Sequence, residues 1–307
     1  IYEYATVNNF TGDAAQDVRE QIGALTTAVS SAEDAAEATT ILKEEAPRVL
    51  AEIEKRYESD KQSQLDAGVL KFPDLFRHEG DWYTGAINNA AANCVVNGKT
   101  NADGTRSADA GGTTSWAEAL TMVARSTVGC DGAIPSDVDL SNSIVAQMPD
   151  YARAPVTYLL HEDKIDAPTL ARIYANNRPG DEINRIEMMQ VVDQVFELPK
   201  ADTSVAGRFP DAARLDASAR QAASNLVDAG VVNGQGNGDL DPNGSLNRAA
   251  FAAIMTRVAA TTAGREVALP GPLGNNDAMP GPTNGEGVPA NLPSGRNAVP
   301  VDEVPSI

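Results

Sequence analysis

Cysteine and histidine are nearly missing from this chain. Two of each, Cys94 and Cys130, His78 and His161, stand in 307 residues. Metal binding or nucleophilic chemistry built on those side chains has little material, and neither histidine falls in a recognisable catalytic signature. Positive charge is also short. Lys and Arg number 24 against 43 Asp and Glu, a formal net charge of −19. A phosphate backbone would be repelled by that field, which argues against a nucleic-acid partner. No apolar run approaches the roughly 20 residues that span a bilayer, so no membrane span is expected. No Gly-rich phosphate loop follows a strand, and paired carboxylates discriminate nothing in so acidic a chain. A non-enzyme is the expectation.

What remains is an ordinary globular composition, 42% hydrophobic and 22% charged, in a chain long enough for a real core. The first residue is Ile1 rather than Met, which fits a processed export product as well as a truncated chain. The two cysteines either close a loop of about 37 residues, worth roughly 4 kcal/mol in the loop-entropy view, or stand as two buried free thiols. A bridge would imply an oxidising compartment.

Three regions differ in composition. Residues 1–68 are rich in Ala and Glu and read as antiparallel helices, with apolar stripes at Val18, Ile22, Leu25 and Val29 and at Ile41, Leu42, Val49, Leu50 and Ile53. Ser30 and Glu33 have capping-box spacing, and Pro47 should start a new helix or kink the old one. Residues 265–307 hold most of a Pro/Gly-rich tail, with eight prolines and six glycines from Leu269 onward. Such a segment cannot build a core and reads as an extended arm. Residues 69–264 lie between.

That middle region repeats, over about 72–129, 134–198 and 205–260. Cys-Val-Val-Asn-Gly at 94–98 answers Gly-Val-Val-Asn-Gly at 230–234, and Phe-Pro-Asp precedes each, at Phe72–Asp74 and Phe209–Asp211. Met188, Val191, Val192 and Val195 take the same helical spacing as Phe251, Ile254, Met255 and Val258, with Ala119, Met122 and Val123 in the first copy. Ile87, Ala90 and Ala91 similarly match Val156, Leu159 and Leu160, then Ala223, Leu226 and Val227. Each copy is a helix, a loop and a helix. None could bury its stripe alone, so the three should share one core. The fold class expected is all-α.

Phe-Pro-Asp, a helix, Gly-Val-Val-Asn-Gly, a glycine-rich loop and Leu-Asn-Arg-Ala-Ala-Phe together resemble the S-layer homology (SLH) repeat, over roughly residues 72–260. The resemblance implies a pseudo-threefold bundle of three such repeats on an extracellular, cell-surface protein. It implies binding to cell-wall polysaccharide, either a pyruvylated secondary cell-wall polymer or another peptidoglycan-linked polymer. The family's Thr-Arg-Ala-Glu hallmark is answered by Asn247-Arg248-Ala249-Ala250, Asn184-Arg185-Ile186-Glu187 and Ser115-Trp116-Ala117-Glu118. Arg185 and Arg248 would then grip a glycan carboxylate through their planar forks at helix starts capped by Asn184 and Asn247. Glu187, Trp116 and Trp82 complete the candidate glycan-binding set, and Trp82 is matched by Tyr151 in the second copy and Ser218 in the third.

Gly98 and Gly234 read as structural, giving a left-handed backbone after the first helix. Asp239, Asp241, Asn243 and Gly244 follow calcium-loop spacing, but Ala250 stands where a bidentate glutamate belongs. Calcium is therefore a weak candidate, and no cofactor is the expectation. The alternative function is a structural subunit of an S-layer or extracellular filament. In that case the tail and the N-terminal helices would join neighbours by self-association.

Overall fold

A computed structural model describes residues 12–76, 82–130, 132–235 and 238–262; the side chains of residues 12–15 and 82 are not included. The tail expected over 265–307 lies outside the described residues. These residues fall into two compact units, one within 1–79 and one within 80–303. Both are mainly helical. Ten α-helices and one two-stranded ribbon are found among the described residues. No helix among them is long and apolar enough to cross a membrane.

The first unit is a hairpin of α1 (Gly12–Ser30) and α2 (Ala35–Asp66). Val18, Leu25, Val49 and Ile53 form its buried stripe, flanked by Ile22, Val29, Ile41 and Tyr57. Arg56 pairs with Asp17 at 2.6 Å, which sets the start of α1 against the second half of α2. The helices are thus antiparallel, as the stripes predict. One local expectation is corrected and another narrowed. Ser30 ends α1, and α2 is capped by Asp34, whose carboxylate accepts from the amides of Ala36 and Glu37 while Glu37 accepts from Glu33. Pro47 neither starts nor ends a helix but lies within α2. Phe72–Asp74 also belong to this unit, entering a 3₁₀ turn over Pro73–Leu75.

The second unit contains α3 (Trp82–Ala92), α4 (Trp116–Val128), α5 (Ser143–Gln147), α6 (Asp150–His161), α7 (Ala167–Tyr174), α8 (Arg185–Phe196), α9 (Ala217–Asp228) and α10 (Arg248–Thr262). The antiparallel ribbon β1 (Lys99–Thr100) and β2 (Arg106–Ser107) decorates the loop between α3 and α4. Helix α7 fills the corresponding loop between α6 and α8, so the middle segment is more than a helix, a loop and a helix.

The ends of α3, α6 and α9 share one geometry. A residue with positive φ follows each helix: Cys94 (62°), Asp163 (51°) and Gly230 (69°). The next two amides then both reach back to a single carbonyl, from Val95 and Val96 to Ala90, from Lys164 and Ile165 to Leu159, and from Val231 and Val232 to Leu226. Those acceptors are the positions aligned by periodicity alone. The residue that turns the chain is therefore Cys94, Asp163 or Gly230. Gly98 and Gly234 also have positive φ, 71° and 86°, but lie four residues farther on. At Gly234 a Cβ would strike the Phe209 ring, which ties Phe-Pro-Asp to the glycine that follows Val-Val-Asn.

Packing runs between segments distant in sequence. Helix α6 lies on α4, α9 on α8, and α3 on α10, while α4 also touches both α8 and α10. Backbone hydrogen bonds at the helix starts follow the same order. Trp116 and Ala117 donate to Asp181 and Pro179, Arg185 and Ile186 to Gly244 and Pro242, and Arg248 and Ala249 to Gly112 and Ala110. Each second helix thus has two of its orphan N-terminal amides satisfied by another segment's loop. The last segment returns to the first and the circuit closes. Met188, Val191, Val192, Phe251, Ile254, Met255, Leu120 and Val123 are all buried on these helices. Cys94 and Cys130 are bridged, joining the ends of α3 and α4.

Candidate functional site

The starts of α4, α8 and α10 place every hallmark residue. At α4 the Ser115 side chain accepts from the Glu118 amide, and Glu118 returns a bond to the Ser115 amide. At α8 Asn184 and Glu187 form the same reciprocal pair. At α10 Asn247 accepts from the Ala250 amide at 2.7 Å, and no acid at 250 can return the bond. Asn184, Asn247 and Glu187 therefore act as helix caps, which their residue types alone foretell.

The arginines do not face outward. Arg185 is 1% exposed and Arg248 is 5% exposed. Arg185 Nε donates to Leu240 O and Arg248 Nε to Ala108 O, each in the loop that also receives its backbone amide. The expectation of guanidinium forks presented to solvent is corrected: each guanidinium is turned inward, with its Nε serving one carbonyl of a neighbouring segment. Trp116 takes the same inward course. It is fully buried with its ring edge-on to Tyr174 at 5.2 Å, so it cannot offer a face to a sugar. The Trp82 side chain lies outside the described residues.

The three inward side chains differ in what they meet. Arg248 Nη1 reaches Glu118 Oε1 at 3.3 Å. Trp116 brings no charge, and Glu187 instead accepts from Asn177 at 2.9 Å. Around Arg185 the corresponding acid is absent, because Ala250 occupies that place. Its Nη1 and Nη2 are buried without a hydrogen-bond partner. Burial pushes the Arg185 pKa down to about 10, against the pull of the Asp241 and Asp211 carboxylates. Asp211 is itself engaged, accepting from the amides of Leu240 and Asp241. Phe-Pro-Asp thus holds the loop on which Arg185 closes.

Tyr151, on the first turn of α6, is 53% exposed. Its hydroxyl pKa is raised by burial and by Glu118, while Ser115 and Arg248 oppose the rise, which sets the ring beside the α4 cap. Lys99 Nζ joins from β1, 2.6 Å from Asp109 and 3.7 Å from Glu118, with 40% of its side chain exposed. An accessible ammonium and a buried arginine therefore meet on one glutamate, and the exposed Tyr151 hydroxyl feels the same charge. Sequence reasoning saw Tyr151 only as the counterpart of Trp82 and did not find Lys99, which approaches through a ribbon that periodicity could not reveal.

A comparison with family models identifies one segment of this unit. The S-layer homology domain model matches residues 208–252, from the 3₁₀ turn at Phe-Pro-Asp through α9 into α10. This segment is an S-layer homology domain. Such a domain is a non-catalytic, cell-wall-binding module and marks a protein of the cell surface or envelope. The segments carrying α3–α4 and α6–α8 lie outside the matched stretch. No curated protein matches the chain.

The calcium-like spacing within the S-layer homology domain serves the turn. Asp241 has φ of 53°, and its carboxylate lies where a Cβ on Gly244 would be. Asp109 (φ 51°) and Gly112 repeat this in the α3–α4 loop. No group of three His, Cys, Asp or Glu side chains suited to a metal gathers among the described residues.

Proposed function

We propose that the three helix pairs are S-layer homology repeats in pseudo-threefold arrangement, and that they hold the protein to an anionic, pyruvylated or otherwise carboxylated cell-wall polymer. The closed circuit of helix pairings and the three identical helix ends support the repeat reading. The observation that carries the binding reading is Glu118 held between the accessible Lys99 and the buried Arg248, with the exposed Tyr151 hydroxyl within reach of the same cap. A sugar ring stacks on Tyr151 through its C–H face, and the polymer's carboxylate takes the third N–H of Lys99. Arg248 acts as a positioning residue that holds Glu118 and the helix start in place. The chain's net charge of −19 makes such a local cation necessary for an anionic partner.

Sedimentation with purified wall sacculi tests this. Sacculi carrying native polymer should retain the chain, and sacculi stripped of it should not. Tyr151→Ala and Lys99→Ala should each weaken retention at least about threefold, a loss of at least about 0.6 kcal/mol per contact. Failure of native sacculi to retain the chain, or full retention by both variants, overturns the proposal.

A further inference from the structure

The hairpin of the first unit buries little for its length. Its helices run to 19 and 32 residues, yet among their described residues only Val18, Leu25, Val49 and Ile53 are buried apolar side chains. Leu42 is 44% exposed. Helices draw most of their stability from packing an apolar face, and two of them cannot enclose a core. A groove of about 650 Å³ runs between α1 and α2. Leu25 and Val49 are its buried apolar lining, and the exposed Ala24 and Ala28, one turn apart, keep its α1 side low and uncharged.

The α2 side of the groove is charged in an ordered way. Glu45, Arg48 and Glu52 line it, and Lys55 continues the same helical face at intervals of three and four residues. Acid and base alternate, and the order is antisymmetric about residue 50. Arg48 and Glu52 stand two residues either side of it, Glu45 and Lys55 five. Two copies of α2 crossing antiparallel at that level would set Arg48 opposite the partner's Glu52 and Glu45 opposite the partner's Lys55. A two-fold axis repeats both pairs, and no like charges meet. The stripe carries no net charge in a chain of −19, so here two copies approach with least repulsion. Within one hairpin these groups pair along their own helix, Arg48 with Glu45 at 2.6 Å and Lys55 with Glu52 at 3.9 Å. Such exposed pairs contribute little.

We infer that two copies of this chain dimerise groove to groove through α1 and α2, forming an antiparallel four-helix bundle about a two-fold axis at the level of residue 50. The inference concerns the first unit alone and stands apart from wall binding, so it is tested without polymer. Sedimentation velocity of the full chain over a wide concentration range should show a reversible dimer that weakens as salt rises. Arg48→Glu should weaken it at least about tenfold. Adding Glu52→Arg to that variant should restore it to within about threefold, because the pairs between copies are rebuilt with their signs exchanged. The same double variant sets like charges along each helix, so a role confined to one hairpin would make it worse than the single one. Should Arg48→Glu unfold the hairpin in a circular dichroism melt, Ala24→Gln, which fills the groove without touching a charge, should weaken the dimer instead. A chain that stays monomeric, a dimer indifferent to Arg48→Glu or to Ala24→Gln, or a double variant no tighter than the single one overturns the inference.

Discussion

At the scale of single residues, the interior holds polar groups whose state follows from their surroundings. Asp193 on α8 is an instance. Burial raises its pKa, and the bond it accepts from Asn225 only partly offsets that rise. A carboxyl whose folded pKa lies above its unfolded value contributes stability that is complete below the unfolded value and is lost as pH rises through the folded one. The charge therefore costs stability at neutral pH. Asp193→Asn, which still offers a carbonyl oxygen to Asn225, should raise Tm at pH 7 and change it little at pH 3. Melting curves at both values check this, and a lower Tm at pH 7 would show the charge to be favourable. The identities at this scale were readable in sequence, but Arg185, Arg248 and Trp116 were not readable as buried. An arginine at a helix start looks the same in sequence whether its fork faces water or the carbonyl of a loop 55 residues away, as Arg185 does.

At the scale of elements, local signals were dependable. Capping boxes at Ser115–Glu118 and Asn184–Glu187, and the apolar stripes of α4, α8 and α10, depend on contacts three or four residues apart. Where local and distant demands compete, the outcome shifted. Ser30–Glu33 has the spacing of a cap, yet Asp34 supplies one that accepts two amides at once. The three second-helix starts are also unequal: Arg248 has Glu118, whereas Arg185 lacks an acid because residue 250 is alanine. Ala250→Glu should complete the reciprocal cap with Asn247 and give Arg185 a partner, adding about 1–2 kcal/mol and a few degrees of Tm. A fall in Tm would show that the α10 start is not equivalent to the other two.

At the scale of the whole molecule, stability depends on closing a circuit of helices far apart in sequence. The circuit begins with α3 lying on α10. The Cys94–Cys130 bridge shortens the chain that must be ordered between the ends of α3 and α4. Replacing both cysteines with serine should cost about 2–5 kcal/mol, measured by denaturant unfolding under oxidising conditions. An unchanged midpoint would mean that the bridge constrains nothing the helices do not already hold. With the chain at the cell surface or envelope, that bridge fits an oxidising compartment.

Sequence by itself determined the helical class, the caps at Ser115, Asn184 and Asn247, and the S-layer homology motif, because each is written in residues a few positions apart. Tertiary structure alone decided which helices meet, that both hallmark arginines and Trp116 turn inward, and that Lys99 and Arg248 share Glu118. Those outcomes depend on loops reaching across dozens of residues to satisfy another segment's amides. No local periodicity records that reach.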